Sequence, residues 1–203
     1  MKRSVNLMAL FGLVVGVAAF GFPSPAAAQD LHPSRRPSPM GMARTTVDDT
    51  YISVVYSRPY KRGRDNIFGT EDSDALVPYG KIWRTGANEA TQITLTGDVM
   101  VGKHKLPAGT YSVFTTPGAD SWKIHFNALL GLSGTGWFDP VEQTFEAADL
   151  GPTELVVIKA TPGTLEEEVE QLTFAFDDTA GGADMCLRWI TTEVCVPITV
   201  AGN

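Results

Sequence analysis

Apolar and polar residues alternate one by one through most of this chain, and that period of two most restricts what it can fold into. Ile52, Val54 and Tyr56 alternate with Ser53 and Ser57. Trp122, Ile124 and Phe126 alternate with Lys123, His125 and Asn127, and Leu172, Phe174 and Phe176 with Thr173 and Ala175. Successive side chains of a strand point to opposite faces, so each run predicts a half-buried strand with one wet face. Turn signals follow at short intervals: Gly102-Lys103, Pro107-Ala108-Gly109, Pro117-Gly118, Pro162-Gly163 and Gly181-Gly182. Parallel strands need crossovers of a dozen or more residues, which such intervals do not provide. The pattern predicts an all-β fold, an antiparallel β-sandwich of jelly-roll or Ig-like type, with at most one short helix. Phe138 to Leu150 is the stretch left for that helix.

The N-terminus follows a different rule. Lys2 and Arg3 precede an apolar run from Leu7 to Phe22, which breaks at Pro23 and Pro25 before Ala26-Ala27-Ala28. The run is shorter than the roughly 20 residues that span a bilayer, and its small-residue exit is that of a secretory signal peptide over 1–28, cut before Gln29. No cysteine follows to carry a lipoprotein anchor. Residues 29–42, rich in Pro, Ser and Arg, have no apolar period and are expected to form a disordered leader. Residues 43–203 then make a single β-sandwich domain of ordinary length. Its expected location is the periplasm or the cell exterior. Losing Lys2 and Arg3 takes the formal charge from -7 to -9, and no run of Lys or Arg remains to track a phosphate backbone. Nucleic acid is not an expected partner, nor is a membrane once the signal is cleaved.

The chain has two cysteines, Cys186 and Cys195, in "MCLRWITTEVCVPITV". With Leu187 and Trp189 facing inward on one strand, and Val194, Val196 and Ile198 on the next, both thiols fall on the opposite face of one hairpin around Thr191-Thr192. An oxidising compartment makes a cross-strand disulfide the leading expectation. The alternative is a pair of free thiols in misregistered strands.

Two stretches interrupt the alternation. Arg58 to Lys81 is a long loop with clustered basic residues, then acidic ones; Ala128 to Pro140 is glycine-rich. Long loops in compact domains are often functional. Within the first lie "YSRP" (56–59), "GRDNIFG" (63–69) and "LVPYGKIWRTGANEAT" (76–91), and "LPAGTYSVFTTP" (106–117) follows. Together these motifs resemble an exported bacterial family catalogued as domain of unknown function 2911, over roughly residues 50–127. The resemblance implies a β-rich exported domain, and it implies no particular activity.

The chemistry concentrates in "WRTGANEAT", Trp83 to Thr91. Arg84 offers a planar fork of donors suited to a carboxylate or phosphate, Asn88 a donor and an acceptor, and Glu89 an acceptor or a base. Tyr79 and Trp83 can wall such a site, while Arg58 and Arg62 add charge from the preceding loop. The candidate ligand-binding residues are therefore Arg58, Arg62, Tyr79, Arg84, Asn88 and Glu89, and the ligand a small polar or anionic molecule or a protein partner. The opposing possibility is structural: Arg84 pairs with Glu89, and Gly86-Ala87-Asn88 is a turn in which Asn adopts the left-handed conformation. The balance favours pairing for Glu89 and binding for Arg84. An enzymatic alternative, hydrolase-like or isomerase-like, uses Glu89 as general base with Arg84 and Asn88 as charge stabilisers. No cofactor and no metal site is expected, because His32, His104 and His125 are scattered and no Cys/His cluster exists. A Ser-His-Asp set from Ser112 or Ser133 with His125 and Asp139 lacks the nucleophile-elbow motif.

Overall fold

The computed structural model describes residues 35–201. The signal peptide expected over 1–28 and the first part of the expected leader lie outside the described residues. In chain order the strands are β1 (Met40–Val47), β2 (Thr50–Ser57), β3 (Phe68–Gly69), β4 (Val77–Pro78), β5 (Thr91–Leu95), β6 (Val99–Val101) and β7 (His104–Leu106). There follow β8 (Gly109–Thr116), β9 (Trp122–Asn127), β10 (Gly136–Asp139), β11 (Thr144–Ala147), β12 (Glu154–Ala160), β13 (Gly163–Thr179) and β14 (Gly182–Val200). Three-residue 3-10 turns at Glu71–Ser73 and Gly151–Thr153 are the longest helical elements among the described residues.

Two sheets carry the domain: a six-stranded one ordered β1-β2-β5-β8-β9-β12 and a four-stranded one ordered β13-β14-β6-β7. Their ladders are antiparallel; the two-residue β3/β4 pair is parallel. The inward sets meet in one core: Ile52, Val54, Ile93, Val113, Ile124 and Phe126 from the first sheet, and Leu172, Phe174, Leu187, Trp189, Val196 and Ile198 from the second. This is an all-β, sandwich-like fold, built by the alternation that predicts it.

One expectation about its faces needs correction. The outer face of the six-stranded sheet is not wet at β8 and β9, because the segment after β9 folds across it. Phe114 packs there with Ala90 and Leu132, and Leu129, Ala148 and Leu150 close over them. Asn127 lies beneath this cover, donating to the Leu150 carbonyl and accepting from the Leu129 amide, while Ser112 donates to the Leu129 carbonyl. His125 is buried as well, bonded to Thr116 Oγ1 and to Glu154 Oε1. Nor is Phe138 to Leu150 helical: it contains most of the β10/β11 hairpin, turned by Asp139, whose carboxylate accepts from Val141 and Glu142 amides, and by Gln143 at φ 54°.

Strand β14 reverses within its own length. Nine extended positions span about 30 Å, yet the Cα atoms of Cys186 and Cys195 are 4.0 Å apart and the two are joined in a disulfide. The reversal falls at Ile190, φ 52°. At its far end Gly182 abuts Ile198, whose carbonyl a Cβ would meet at 2.2 Å, so only glycine fits. Leu187, Trp189, Val194, Val196 and Ile198 all face the core as the alternation requires, but Cys186 on the other face is also buried. Beside it Arg188 bridges Asp177 and Glu193.

The boundary at residue 42 also moves. Strand β1 starts at Met40, and its Met40, Gly41 and Met42 pair with Ser57, Tyr56 and Val55. Ahead of it, residues 36–39 form a strap held by its backbone carbonyls and one ion pair. Pro37 O accepts from Arg62 Nη2, Ser38 O from Asn88 Nδ2, Pro39 O from the Arg58 amide, and Arg36 pairs with Glu89. A segment without apolar period docks here through polar contacts. Such bonds contribute about 0.5–1.5 kcal/mol each, so deleting residues 29–42 lowers the melting temperature by roughly 5–10 °C at about 2–4 °C per kcal/mol. An unchanged melting curve for the truncated protein would show that the strap contributes nothing to stability.

Candidate functional site

The motif Trp83 to Thr91 is a closed loop between β4 and β5, pinned at both ends. Trp83 and Thr115 exchange backbone hydrogen bonds of 2.7 and 2.9 Å, extending the sheet locally beyond β8. Thr85 Oγ1 meets Thr115 Oγ1, Thr91 Oγ1 donates to the Thr85 carbonyl, and the Thr91 amide donates to the Arg84 carbonyl. Gly86 passes so near β2 that a Cβ would meet the Ser57 carbonyl at 2.9 Å. Thr85 and Asn88 adopt φ of 57° and 56°. For Asn this is ordinary turn chemistry, but for a fully buried, β-branched Thr it costs on the order of 1–3 kcal/mol and persists only where surrounding contacts enforce it.

Behind the loop stands an aromatic cluster drawn from both sheets. Trp83 stacks on Trp189 with centroids 6.1 Å apart, Phe68 meets both indoles edge-on at 5.8 Å, and it meets Trp122 at 4.9 Å. Trp83 Nε1 donates to the Gly86 carbonyl, so its polar atom is satisfied inside the motif. In front of the indoles lies an open pocket of about 260 Å³. Its walls are Ser38 of the strap, Pro59, Arg64, Leu76, Val77, Trp83, Arg84, Gly86, Ala87 and Trp189.

Arg64 and Arg84 are both among the walls of this pocket, and no carboxylate is; the end of the Arg84 side chain also lies beside Gly134 of the glycine-rich loop. The Arg84 guanidinium forms no hydrogen bond or ion pair with any described residue, and its Nε is sealed from solvent. Burial pulls its pKa below the ordinary arginine value. Arg64 donates from Nη2 to the Tyr60 carbonyl at 2.6 Å, but its Nε is likewise buried without a partner. A buried cation is normally retained beside a counter-charge. Here the described residues supply none.

The six residues singled out from the sequence separate into different roles. Arg84 lines the pocket. Arg58 donates to the Leu172 carbonyl and Thr173 Oγ1, tying the end of β2 to β13. Arg62 reaches the strap and lies over the Tyr60 ring at 5.8 Å. Asn88 Nδ2 is shared between the Ser38 carbonyl and Ser57 Oγ. Tyr79 is held by its amide to the Gly69 carbonyl and is not among the pocket walls. Glu89 pairs with Arg36 rather than Arg84, and it borders a different depression of about 220 Å³ with Met40, Tyr56 and Gln92. Arg64 and Trp189 were missed. Arg64 carries no local signal beyond membership of a basic loop, and Trp189 reaches the pocket from a strand a hundred residues away.

Other possible chemistries meet occupied groups. Asp177, Glu193 and the two cysteines bring ligand atoms within 4.8 Å of one another, but the disulfide takes both sulfurs and Arg188 both carboxylates. His125 is committed to Glu154 and Thr116, away from the Ser-His-Asp set considered above.

The fold and site together define a class: an all-β, sandwich-like domain whose polar loop presents two arginines in an aromatic-backed pocket. The chain belongs to the family described as protein of unknown function (DUF2911), whose model matches residues 38–198, from the strap to β14. Comparison with curated proteins and with solved structures returns no match.

The Glu89 contact gives a pH prediction. Desolvation raises the carboxyl's pKa, but the hydrogen bond from Arg36, the loop's own amide and the Arg36 charge outweigh it, so the folded pKa lies below the ordinary glutamate value. A depressed carboxylate stabilises the fold above its unfolded pKa, and that contribution is lost as pH falls through the folded one. Glu89→Gln therefore lowers the melting temperature slightly at neutral pH, and the gap to the parent protein closes on acidification below the glutamate range. A gap that widened with acid would contradict the pairing.

Proposed function

We propose that this protein is an exported binding domain that takes a small anionic ligand between Arg84 and Arg64. One observation carries the proposal: Arg84 is a substantially buried guanidinium that meets no acceptor among the described residues, at the wall of an open pocket. An anion seated there offsets the desolvation of the cation, and the planar fork of arginine accepts a carboxylate in two parallel hydrogen bonds. The left-handed Thr85 next to it fits the same picture, since backbone strain gathers at ligand sites. Catalysis with Glu89 as base gains no support from the geometry. Glu89 is paired, held ionised by Arg36 and turned to another depression.

Export rests on the Lys2-Arg3 start, the apolar run and the disulfide, which fits an oxidising compartment. Intact-mass measurement of protein recovered from the periplasm or medium is expected to give a chain starting at Gln29; a chain retaining Met1 would contradict it.

The binding claim is tested by thermal shift against a panel of sodium salts of organic acids. A ligand at a hundred times its Kd adds about 2.7 kcal/mol, a rise of roughly 5–10 °C. Arg84→Met, which keeps the stem and removes the charge, is expected to abolish the response, and Arg64→Met to weaken it. A response that survives both substitutions would place the site elsewhere.

A further inference from the structure

We infer that the occupant of this pocket is a monocarboxylate on a compact apolar body rather than phosphate or another inorganic oxyanion, an inference that rests on the anion-binding reading above. The first argument concerns donors. Phosphate sites are commonly built from successive backbone N–H groups or a helix N-terminus. Here several wall amides are already spent: Leu76 on the Asn66 carbonyl, Val77 on Ile67, Trp83 on Thr115 and Ala87 on Ser57. Pro59 has none to offer. The charged donors near a ligand are those of Arg84 and Arg64, and Arg64 has already given one Nη2 contact to Tyr60. That inventory suits two in-plane oxygens better than the three or four of a tetrahedral anion.

The second argument concerns the remaining walls. Leu76, Trp83 and Ala87 keep exposed aliphatic and indole surface without charge, and the buried Pro59, Val77 and Trp189 back them. An open pocket of about 260 Å³ takes a small molecule whose carboxylate meets the arginines and whose compact hydrocarbon body gains by leaving water against Trp83 and Leu76.

Isothermal titration of the purified protein with benzoate, phenylacetate, acetate, inorganic phosphate and the neutral benzamide separates the possibilities. Benzoate or phenylacetate is expected to bind at least about tenfold more tightly than acetate, given the apolar area added. Phosphate and benzamide are expected to bind more weakly still. Leu76→Ala at the exposed rim is expected to weaken the aromatic acids severalfold and leave acetate unchanged, while Arg84→Met removes binding of all the anions. Phosphate or acetate binding as tightly as benzoate, through Arg84, would overturn the ligand class and leave the anion site standing. Failure of all four anions to bind would overturn both.

Discussion

Trp83 and Thr115 exchange two backbone hydrogen bonds, and that exchange fixes where everything else in the motif lies. It sets Trp83 at the margin of the six-stranded sheet, where the indole stacks on Trp189 from the other sheet. The same pair places Thr85 against Thr115, from which Thr91 closes the loop back into β5. Within so tight a closure Arg84 has little freedom. Its neighbours on both sides are fastened by side-chain or backbone bonds, so its side chain is held beside Gly134 and at the pocket wall, where its guanidinium meets no acceptor among the described residues. The cation is thus held by the frame around it rather than by a partner.

A division of labour follows. The long loop and the motif carry several polar groups in a small volume, and most hold the chain's own strap. Arg62, Asn88 and the Arg58 amide bond three successive carbonyls, and Glu89 takes Arg36. Internal partners satisfy these groups, which makes them poor candidates for a ligand. Arg84 and Arg64, twenty residues apart, each keep a buried Nε without a partner among the described residues, although Arg64 also donates from Nη2 to Tyr60. The strap and the pocket are also neighbours, since Ser38 is one of the walls.

Alternation made the sandwich legible, including the inward set Leu187, Trp189, Val194, Val196 and Ile198 and the shared face of Cys186 and Cys195. It could not disclose the strap. Pro37, Ser38 and Pro39 are held by their carbonyl oxygens, which every residue type possesses, so no side-chain pattern betrays the contact. The cover over β8 and β9 was hidden for a related reason: Leu129, Leu132 and Leu150 are spread through glycine-rich and acidic sequence without any period. In the motif, residue types drew attention to Trp83 to Thr91, and the structure sends the residues they singled out in different directions. Arg84 and Glu89 are close in sequence, yet they border different depressions; Arg84 lies beside Gly134 of the glycine-rich loop and shares its pocket with β14 and the loop after β2.

The central claim is that Arg84 is kept for a ligand and not for the fold. Its most direct test is the unfolding free energy of Arg84→Met by chemical denaturation in ligand-free buffer. Removing a desolvated, unpartnered cation while keeping its apolar stem is expected to leave the protein as stable as the parent or more so, because no buried counter-charge is stranded. A loss of about 3–5 kcal/mol, the cost of breaking a buried ion pair, would contradict the account and make Arg84 a structural clasp.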